Sequence, residues 1–480
     1  MNIESIVLIL CRLLEVEGLL LLTPAAVSLV YREKMGFVYL ILGIICFVIG
    51  FIASRFKIKK QIFYAKEGFV VVSLGWILMS LVGCLPFVLT GEIPSFTDAF
   101  FETVSGFTTT GSSILTDVEA LSHCSLFWRS FTHWIGGMGV FVFMLAVLPM
   151  TGAQNMHLMR SESPGPEVGK LVPKLKESAK ILYIIYFAMT VAEIIILLIS
   201  GMAPFDSITL SCGTAGTGGF GVRNSSIADY TYLQQLIIGI FMVLFGINFN
   251  FYFFLFLRRS LKEAFRMDEV RTYLGIIAVS VIVIMIDARH LFNGVADGFI
   301  KAFFQVSSII TTTGYATADF DTWPALSKTV LFTLMFIGAC AGSTGGGFKV
   351  SRIIIAVKSH VRKIKGFIHP RLVQNVYLDG RKLKEETVSG VSIYTVTYIL
   401  IIVASLLLVS MDEFDLETNI TAVAATLNNI GPGFSTIGPT CNFSAFSPFV
   451  KYVLCFDMLA GRLELFPMLI LFAPSTWRKR

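Results

Sequence analysis

The chain has 480 residues, of which 55% are hydrophobic and 15% charged, and a formal net charge of +6. Soluble domains carry about 25% charged residues, so this composition excludes a soluble enzyme or nucleic-acid-binding module and predicts an all-α polytopic membrane protein. The eight cysteines form no CxxC pair and no metal-type spacing, which leaves neither a disulfide framework nor a zinc site.

Two apolar segments open the chain, Ile6 to Val30 and Gly36 to Ala53. At about 1.5 Å per residue each is long enough to cross a hydrocarbon core of about 30 Å. Met1 to Leu22 lacks a basic leader and a small-residue cleavage site and carries Glu4, Arg12, Glu15 and Glu17, which predicts a retained first helix. A three-part unit then follows four times. The first copy places an outer helix at Gly68 to Leu89, a short helix at Ser95 to Gly106, a loop at Thr108 and an inner helix at Phe127 to Leu148. The second runs through Ala179 to Ser200, a short helix after Pro204, a loop at Gly216 and Leu233 to Leu257. In the third, Tyr273 to Ile286 leads through Gly294 to Ser308 and its loop to a span starting near Thr329. The fourth has Val391 to Val409, Thr418 to Leu427, a loop at Asn428 and Phe446 to Phe472. Ten spans and four half-helices are expected, divided as a helix pair 1–54 and repeats 55–158, 159–266, 267–366 and 367–480. A half-length helix followed by a glycine-containing loop reads as a re-entrant hairpin, tolerated at membrane depth only inside protein or a watery cavity.

The four loops carry the chemistry. They read Thr108-Thr109-Thr110-Gly111, Gly216-Thr217-Gly218-Gly219, Thr311-Thr312-Thr313-Gly314 and Asn428-Asn429-Ile430-Gly431-Pro432-Gly433. Ala99-Phe100-Phe101-Glu102 before the first matches Ala302-Phe303-Phe304-Gln305 before the third, so the repetition is an internal duplication with a period of roughly a hundred residues. A dehydrated monovalent cation needs oxygens in place of water, and four loops of backbone carbonyls provide them. Glycine allows the φ values that turn carbonyls inward. Gly111, Gly218, Gly314 and Gly431, each with its preceding residue Thr110, Thr217, Thr313 or Ile430, are the expected ring, shorter and less selective than a TVGYG filter. Close helix packing is the alternative use of such residues, and four copies after four apolar runs argue against it.

Lysines and arginines cluster between repeats: Arg55, Lys57, Lys59 and Lys60, then Arg160, Lys170, Lys174 and Lys176, then Arg258 to Arg271, then Lys358 to Lys384. The positive-inside rule makes these connections and the tail Arg478-Lys479-Arg480 cytoplasmic, with the loop mouths outside, Arg32 and Lys34 being weak exceptions. The basic loops also suit contact with anionic membrane lipid. Asp98, Asp206, Asp297 and Asp415 fall near the starts of the short helices, where carboxylates complement positive helix ends.

Two features interrupt the inner helices. Gly342-Ser343-Thr344-Gly345-Gly346-Gly347, within Gly338 to Lys349, cannot hold a regular helix, since each glycine costs about 1 kcal/mol against alanine, and is read as a gate loop below its filter. Arg462 lies among apolar residues of the last span, where an arginine is costly and usually functional; neutralisation by Asp457 or Glu464 is the structural alternative. Gly216 to Gly221 satisfies GxGxxG but follows no strand, and Gly342 to Lys349 only imitates a P-loop, so neither is a nucleotide site. No HExxH or Ser/His/Asp constellation appears, which leaves a membrane-embedded enzyme as a remote alternative.

These features together, the loops TTTGS, GTGGFG, TTTGY and NNIGPG, the stretch GACAGSTGGGFK and Arg462, resemble the Trk/Ktr/HKT superfamily of potassium uptake proteins. The extra pair Ile6 to Ala53 resembles its TrkH-type membrane subunit more than KtrB-type relatives. The resemblance covers essentially the whole chain. It implies potassium as the transported ion with no covalently bound cofactor, a bacterial inner-membrane homodimer with a pore in each protomer and its filter mouth periplasmic, and a cytosolic TrkA-like nucleotide-binding regulatory ring. A proton- or sodium-coupled potassium symporter on the same scaffold is the alternative function.

Overall fold

The computed structural model describes residues 3–55, 65–139, 175–257, 259–369 and 374–478. The expected positions Lys57, Lys59, Lys60, Arg160, Lys170, Lys174, Arg258, Arg371, Lys479 and Arg480, and the part of the first inner helix beyond residue 139, lie outside these residues. So does the expected boundary between the first two repeats.

The chain begins with the hairpin of α1 (Ile3–Tyr31) and α2 (Gly36–Ser54). Its close packing rests on Gly18, Gly43 and Gly50, where a Cβ would press on backbone of the opposite helix. The turn between the two helices sits beside the start of the first inner helix, because both Glu33 oxygens accept backbone N–H groups of His123 and Cys124 at 2.8 and 3.1 Å. The outer helix α3 (Ala65–Gly83) continues after Cys84 as α4 (Leu85–Thr90), with a proline in its first turn. Half-helix α5 (Phe96–Phe107) and inner helix α6 (His123–Gly137) complete this unit.

The second unit is α7 (Leu175–Ile199), α8 (Pro204–Gly216) and α9 (Tyr232–Gly246). The third is α10 (Asp268–Asp287), α11 (Val295–Ile310), α12 (Ala325–Ile337) and α13 (Val350–Ile368). The fourth is α14 (Glu385–Val409), α15 (Leu416–Leu427), α16 (Pro448–Arg462) and α17 (Phe466–Phe472). The starts of the half-helices follow from their sequences. Ser95 caps α5, Pro204 opens α8, and the Asp415 carboxylate caps α15 through the Thr418 amide at 3.2 Å, satisfying donors a helix start leaves unpaired.

The third inner segment breaks at its glycine-rich stretch, as expected, but the other three inner helices break as well. Within the described residues, α6, α9, α12 and α16 have 15, 15, 13 and 15 residues, about 20 Å each at 1.5 Å per residue. Each then breaks: at Gly139 (φ 82°), at a 94° bend after Gly246, at Gly338 (φ 72°), and at Glu464 and Leu465 (φ 60° and 64°). The breaks bring the inner helices onto the ends of the half-helices. A Cβ on Gly136 would overlap the Phe107 carbonyl, and one on Gly461 the Leu427 carbonyl. Among the described residues, five helices are therefore long and apolar enough to cross a membrane, or six if the bent pair after Tyr232 is one span. The fold is an all-α polytopic membrane protein whose four half-helices converge at its centre.

Candidate functional site

The loops that follow α5, α8, α11 and α15 share one backbone path. Thr109, Thr217, Thr312 and Asn429 have φ of 56°, 55°, 60° and 55°, and two residues on, Gly111, Gly219, Gly314 and Gly431 have φ of 83°, 77°, 85° and 101°. Left-handed φ at every second residue turns successive carbonyls toward the same side. Threonine is β-branched and rarely adopts this region. Three threonines held there at matching positions are an observed strain of the kind that collects at functional sites, at about 1–3 kcal/mol each.

This path corrects the expected register of the second loop. The residue matching Gly111 and Gly314 is Gly219, not Gly218, and the one matching Thr110, Thr313 and Ile430 is Gly218, not Thr217. Thr217 instead matches the strained Thr109 and Thr312.

The four loops close on one another in chain order. A Cβ on Gly111 would overlap the Gly218 carbonyl oxygen, one on Gly219 the Thr313 oxygen, and one on Gly314 the Ile430 oxygen. A Cβ on Gly431 would lie 2.9 Å from the Thr110 oxygen, which completes the circle. Each glycine thus lets its loop approach the carbonyl of the next. Side chains behind the ring fix it. The Thr108 and Thr110 hydroxyls lie 2.8 Å apart, those of Thr311 and Thr313 2.7 Å apart, and Asn429 donates to the Thr110 hydroxyl at 2.9 Å. Ser112 donates to the Gly431 carbonyl at 3.1 Å. The first loop is also braced by the buried pair Arg129–Glu102 at 2.7 Å, whose carboxylate accepts the Ile114 amide at 3.0 Å.

The glycine-rich segment between α12 and α13 lies against this ring. The Gly346 amide donates to the Thr312 hydroxyl at 2.6 Å, and a Cβ on Gly346 would come within 2.5 Å of the Asn428 carbonyl. The segment is pinned from the other side as well. The Cys340 amide donates to Gly246 and the Gly342 carbonyl accepts from Phe249 at 3.1 and 3.0 Å. The Glu269 carboxylate accepts the Ala341 and Ser351 amides at 2.6 and 3.1 Å. The Lys349 ammonium bonds the Gly345 carbonyl within the segment. Gly342, Ser343, Thr344, Gly345, Gly346 and Gly347 are therefore packed inside the protein rather than forming a surface turn.

Arg462, the last residue of α16, donates to the Thr344 carbonyl at 2.8 Å and to the Gly136 and Gly137 carbonyls at 2.5 and 2.7 Å. It ties the glycine-rich segment to the break after α6. The carboxylates expected as its partners are engaged elsewhere: Glu464 pairs with Arg352, and Asp457 accepts from Ser405 at 2.6 Å. The acidic starts of the half-helices are also partnered. Asp98 bonds Lys451 at 2.6 Å, Asp297 bonds Lys301 at 3.0 Å, and Asp206 lies 3.6 Å from Arg223. Arg129, Glu269 and Arg352 belong to none of the sequence motifs, and Glu102 and Lys349 enter them only as the ends of their stretches. Ionisable residues in apolar helices are rare enough to be a signal of their own.

Comparison with known proteins agrees with this architecture. A family model described as a cation transport protein, TrkH, matches residues 35–479. "Trk system potassium uptake protein TrkH" of Salmonella typhimurium is 36% identical over 466 residues, covering 96% of each chain. The protein of that name from Vibrio parahaemolyticus is 35% identical over 492 residues and covers all of both chains. A solved structure, titled as the potassium transporter TrkH from Vibrio parahaemolyticus, matches with a TM-score of 0.89 at 33% identity over the full length of both. The extent of these matches, on a fold whose centre is a closed ring of four loops, shows that the chain belongs to the TrkH family of cation transport proteins, a family of transporters and not of enzymes.

Proposed function

We propose that this protein takes potassium into the cell through the ring of carbonyls made by its four loops. The observation that carries this reading is the ring's closure: four glycines, each apposed to the carbonyl of Thr110, Gly218, Thr313 or Ile430 in the next loop. Rings of carbonyls replace the hydration shell of a monovalent cation, and Gly111, Gly219, Gly314 and Gly431 are the positions where no side chain fits. Potassium is the substrate, in keeping with the names of the relatives. The glycine-rich segment and Arg462 form the gate on the far side of the filter.

The filter mouth faces the periplasm of a bacterial inner membrane. The division of the chain is the helix pair 1–54 and repeats 55–158, 159–266, 267–366 and 367–480. The relatives are named as parts of a Trk system, which supports a protein of several components. A second copy of the chain and a TrkA-like cytosolic ring that binds nucleotide are the proposed partners.

The test is purified protein in liposomes with defined ion gradients. Current reversing at the potassium equilibrium potential is the expected result. A reversal that follows an imposed pH or sodium gradient would replace the channel by a coupled symporter, and absence of potassium flux would overturn both.

A further inference from the structure

The second loop departs from the others in two places: Gly216 stands where they carry Thr108, Thr311 and Asn428, and Gly218 where they carry Thr110, Thr313 and Ile430; the second of these is the one beside the ring of carbonyls. The space is occupied from outside the loop. A Cβ built on Gly218 would fall into the imidazole of His133, 2.5 Å from Cδ2 and nearer still to Cγ and Nδ1. His133 belongs to α6, the inner helix of the preceding unit, and is fully buried.

Its two ring nitrogens face opposite kinds of group. Nδ1 lies 2.7 Å from the Gly106 carbonyl, near the end of α5, and Nε2 lies 3.3 Å from the amide of Phe220, the residue after Gly219. A carbonyl can only accept and an amide N–H only donate, so the ring is the neutral imidazole with its proton on Nδ1. Phe220 is held from both sides: its ring is 4.2 Å from that of His133, and the Arg129 guanidinium stands 4.1 Å over it. Arg129, one turn before His133, also donates to the Gly221 carbonyl at 3.3 Å. In α16, Met458 stands where α6 has His133, as judged from Gly136 and Gly461, which each abut the last carbonyl of their own half-helix. That histidine has no counterpart there.

We propose that His133 is a positioning and specificity-determining residue for the ion filter: its ring fills the side-chain place that the second loop lacks and fixes the peptide after Gly219 relative to the first half-helix. This rests on the filter reading above. Without the ring, a loop with glycine at 218 and 219 has two unconstrained residues where its counterparts have one. Its Gly218 carbonyl, the one apposed to Gly111, would then be the least defined of the four. A filter with one ill-placed carbonyl loses discrimination between ions before it loses conduction.

The experiment measures the potassium to sodium permeability ratio from reversal potentials in proteoliposomes. His133→Phe fills the space without a polar atom, His133→Gln offers one donor and one acceptor, and Gly314→Ala perturbs the ring independently of His133. His133→Phe is expected to lower the ratio by roughly three- to tenfold, as loss of a hydrogen bond would, with His133→Gln recovering part of it. An unchanged ratio in His133→Phe, with a lowered one in Gly314→Ala, overturns the role of His133 and leaves the filter standing. Unchanged ratios in both overturn the filter reading itself. If His133→Phe does not reach the membrane folded, Gly218→Ala carries the test. It should lower the ratio in the parent but have no added effect in His133→Ala, where the Cβ finds room; additive losses overturn the proposal.

Discussion

Substituting Gly314 by alanine separates two costs that glycine usually hides together. At φ 85° any L-residue is strained, by about 1–2 kcal/mol relative to the ordinary region. At this position the added Cβ would also overlap the Ile430 carbonyl oxygen and sit 2.9 Å from Pro432 Cδ, so the neighbouring loop must move. Gly201 supplies the control, because its φ of 86° is the same and its Cβ would meet nothing within 4 Å. Both variants should melt lower in detergent, Gly314→Ala by more because its Cβ also displaces the neighbouring loop. Only Gly314→Ala should lose ion preference, and a fall of about tenfold in the potassium to sodium permeability ratio corresponds to about 1.4 kcal/mol of lost discrimination. The assay is a bi-ionic reversal potential in proteoliposomes, with melting temperature measured on the same preparations. A Gly314→Ala protein with the parent's ratio, or a Gly201→Ala protein that loses it equally, would refute the argument that the loops meet as a carbonyl ring.

Three further outcomes follow from the same contacts. Arg462→Ala removes three hydrogen bonds to carbonyls of α6 and the glycine-rich segment, so it should melt lower and conduct faster per folded molecule, while Arg462→Lys stays near the parent. A lower melting point with no gain in flux would make the arginine purely structural. Shortening Gly342 to Gly347 should raise basal flux in correctly inserted protein, and unchanged or reduced flux in a tracer uptake assay counts against a gate. Asp415→Ala should cost about 0.5–2 kcal/mol as a lost helix cap. The Thr418 hydroxyl and amide hold the Asp415 carboxyl below the usual carboxylate range, so its contribution is present above the ordinary value near 3.9 and fades as pH falls through the lower folded value. A melting curve of Asp415→Ala that keeps the parent's acid dependence would contradict this.

The half-helices were legible because their signals are local: Ser95, Pro204 and Asp415 mark starts, and the loops carry TTTG or its variants. The glycine-rich interruption was legible for the same reason, since so many glycines cannot remain helical. The register of the second loop was not. Gly216-Thr217-Gly218-Gly219 offers two glycines after its threonine, and what tells them apart is tertiary: a Cβ on Gly218 would meet the His133 imidazole, from another unit of the chain, and one on Gly219 the Thr313 carbonyl. The breaks after α6, α9 and α16 were hidden too. Met138, Ile247-Asn248 and Leu463 continue no worse than many helical stretches, and what ends the helices there is tertiary. Gly246 and Gly342 engage backbone partners across the break, and Arg462 pulls the carbonyls of Gly136 and Gly137 toward its own helix end.

Those contacts also bear on how a gate and a filter would communicate. The glycine-rich segment gives its Gly346 amide to Thr312, a threonine of the third loop held in the left-handed region, and rests against the Asn428 carbonyl before the fourth loop. If the segment moves aside to open the path, Thr312 loses a donor and the third and fourth loops lose a backing wall in the same step. The free energy of moving the segment then depends on whether the loops are held in place by an ion, and ion affinity depends in equal measure on where the segment lies. Arg462 adds a bridge to that arrangement, because its guanidinium bonds the segment at Thr344 and the first unit at Gly136 and Gly137 at once. A point charge on a flexible stem keeps the electrostatic part of that link, which is why Arg462→Lys is expected to stay near the parent while Arg462→Ala is not.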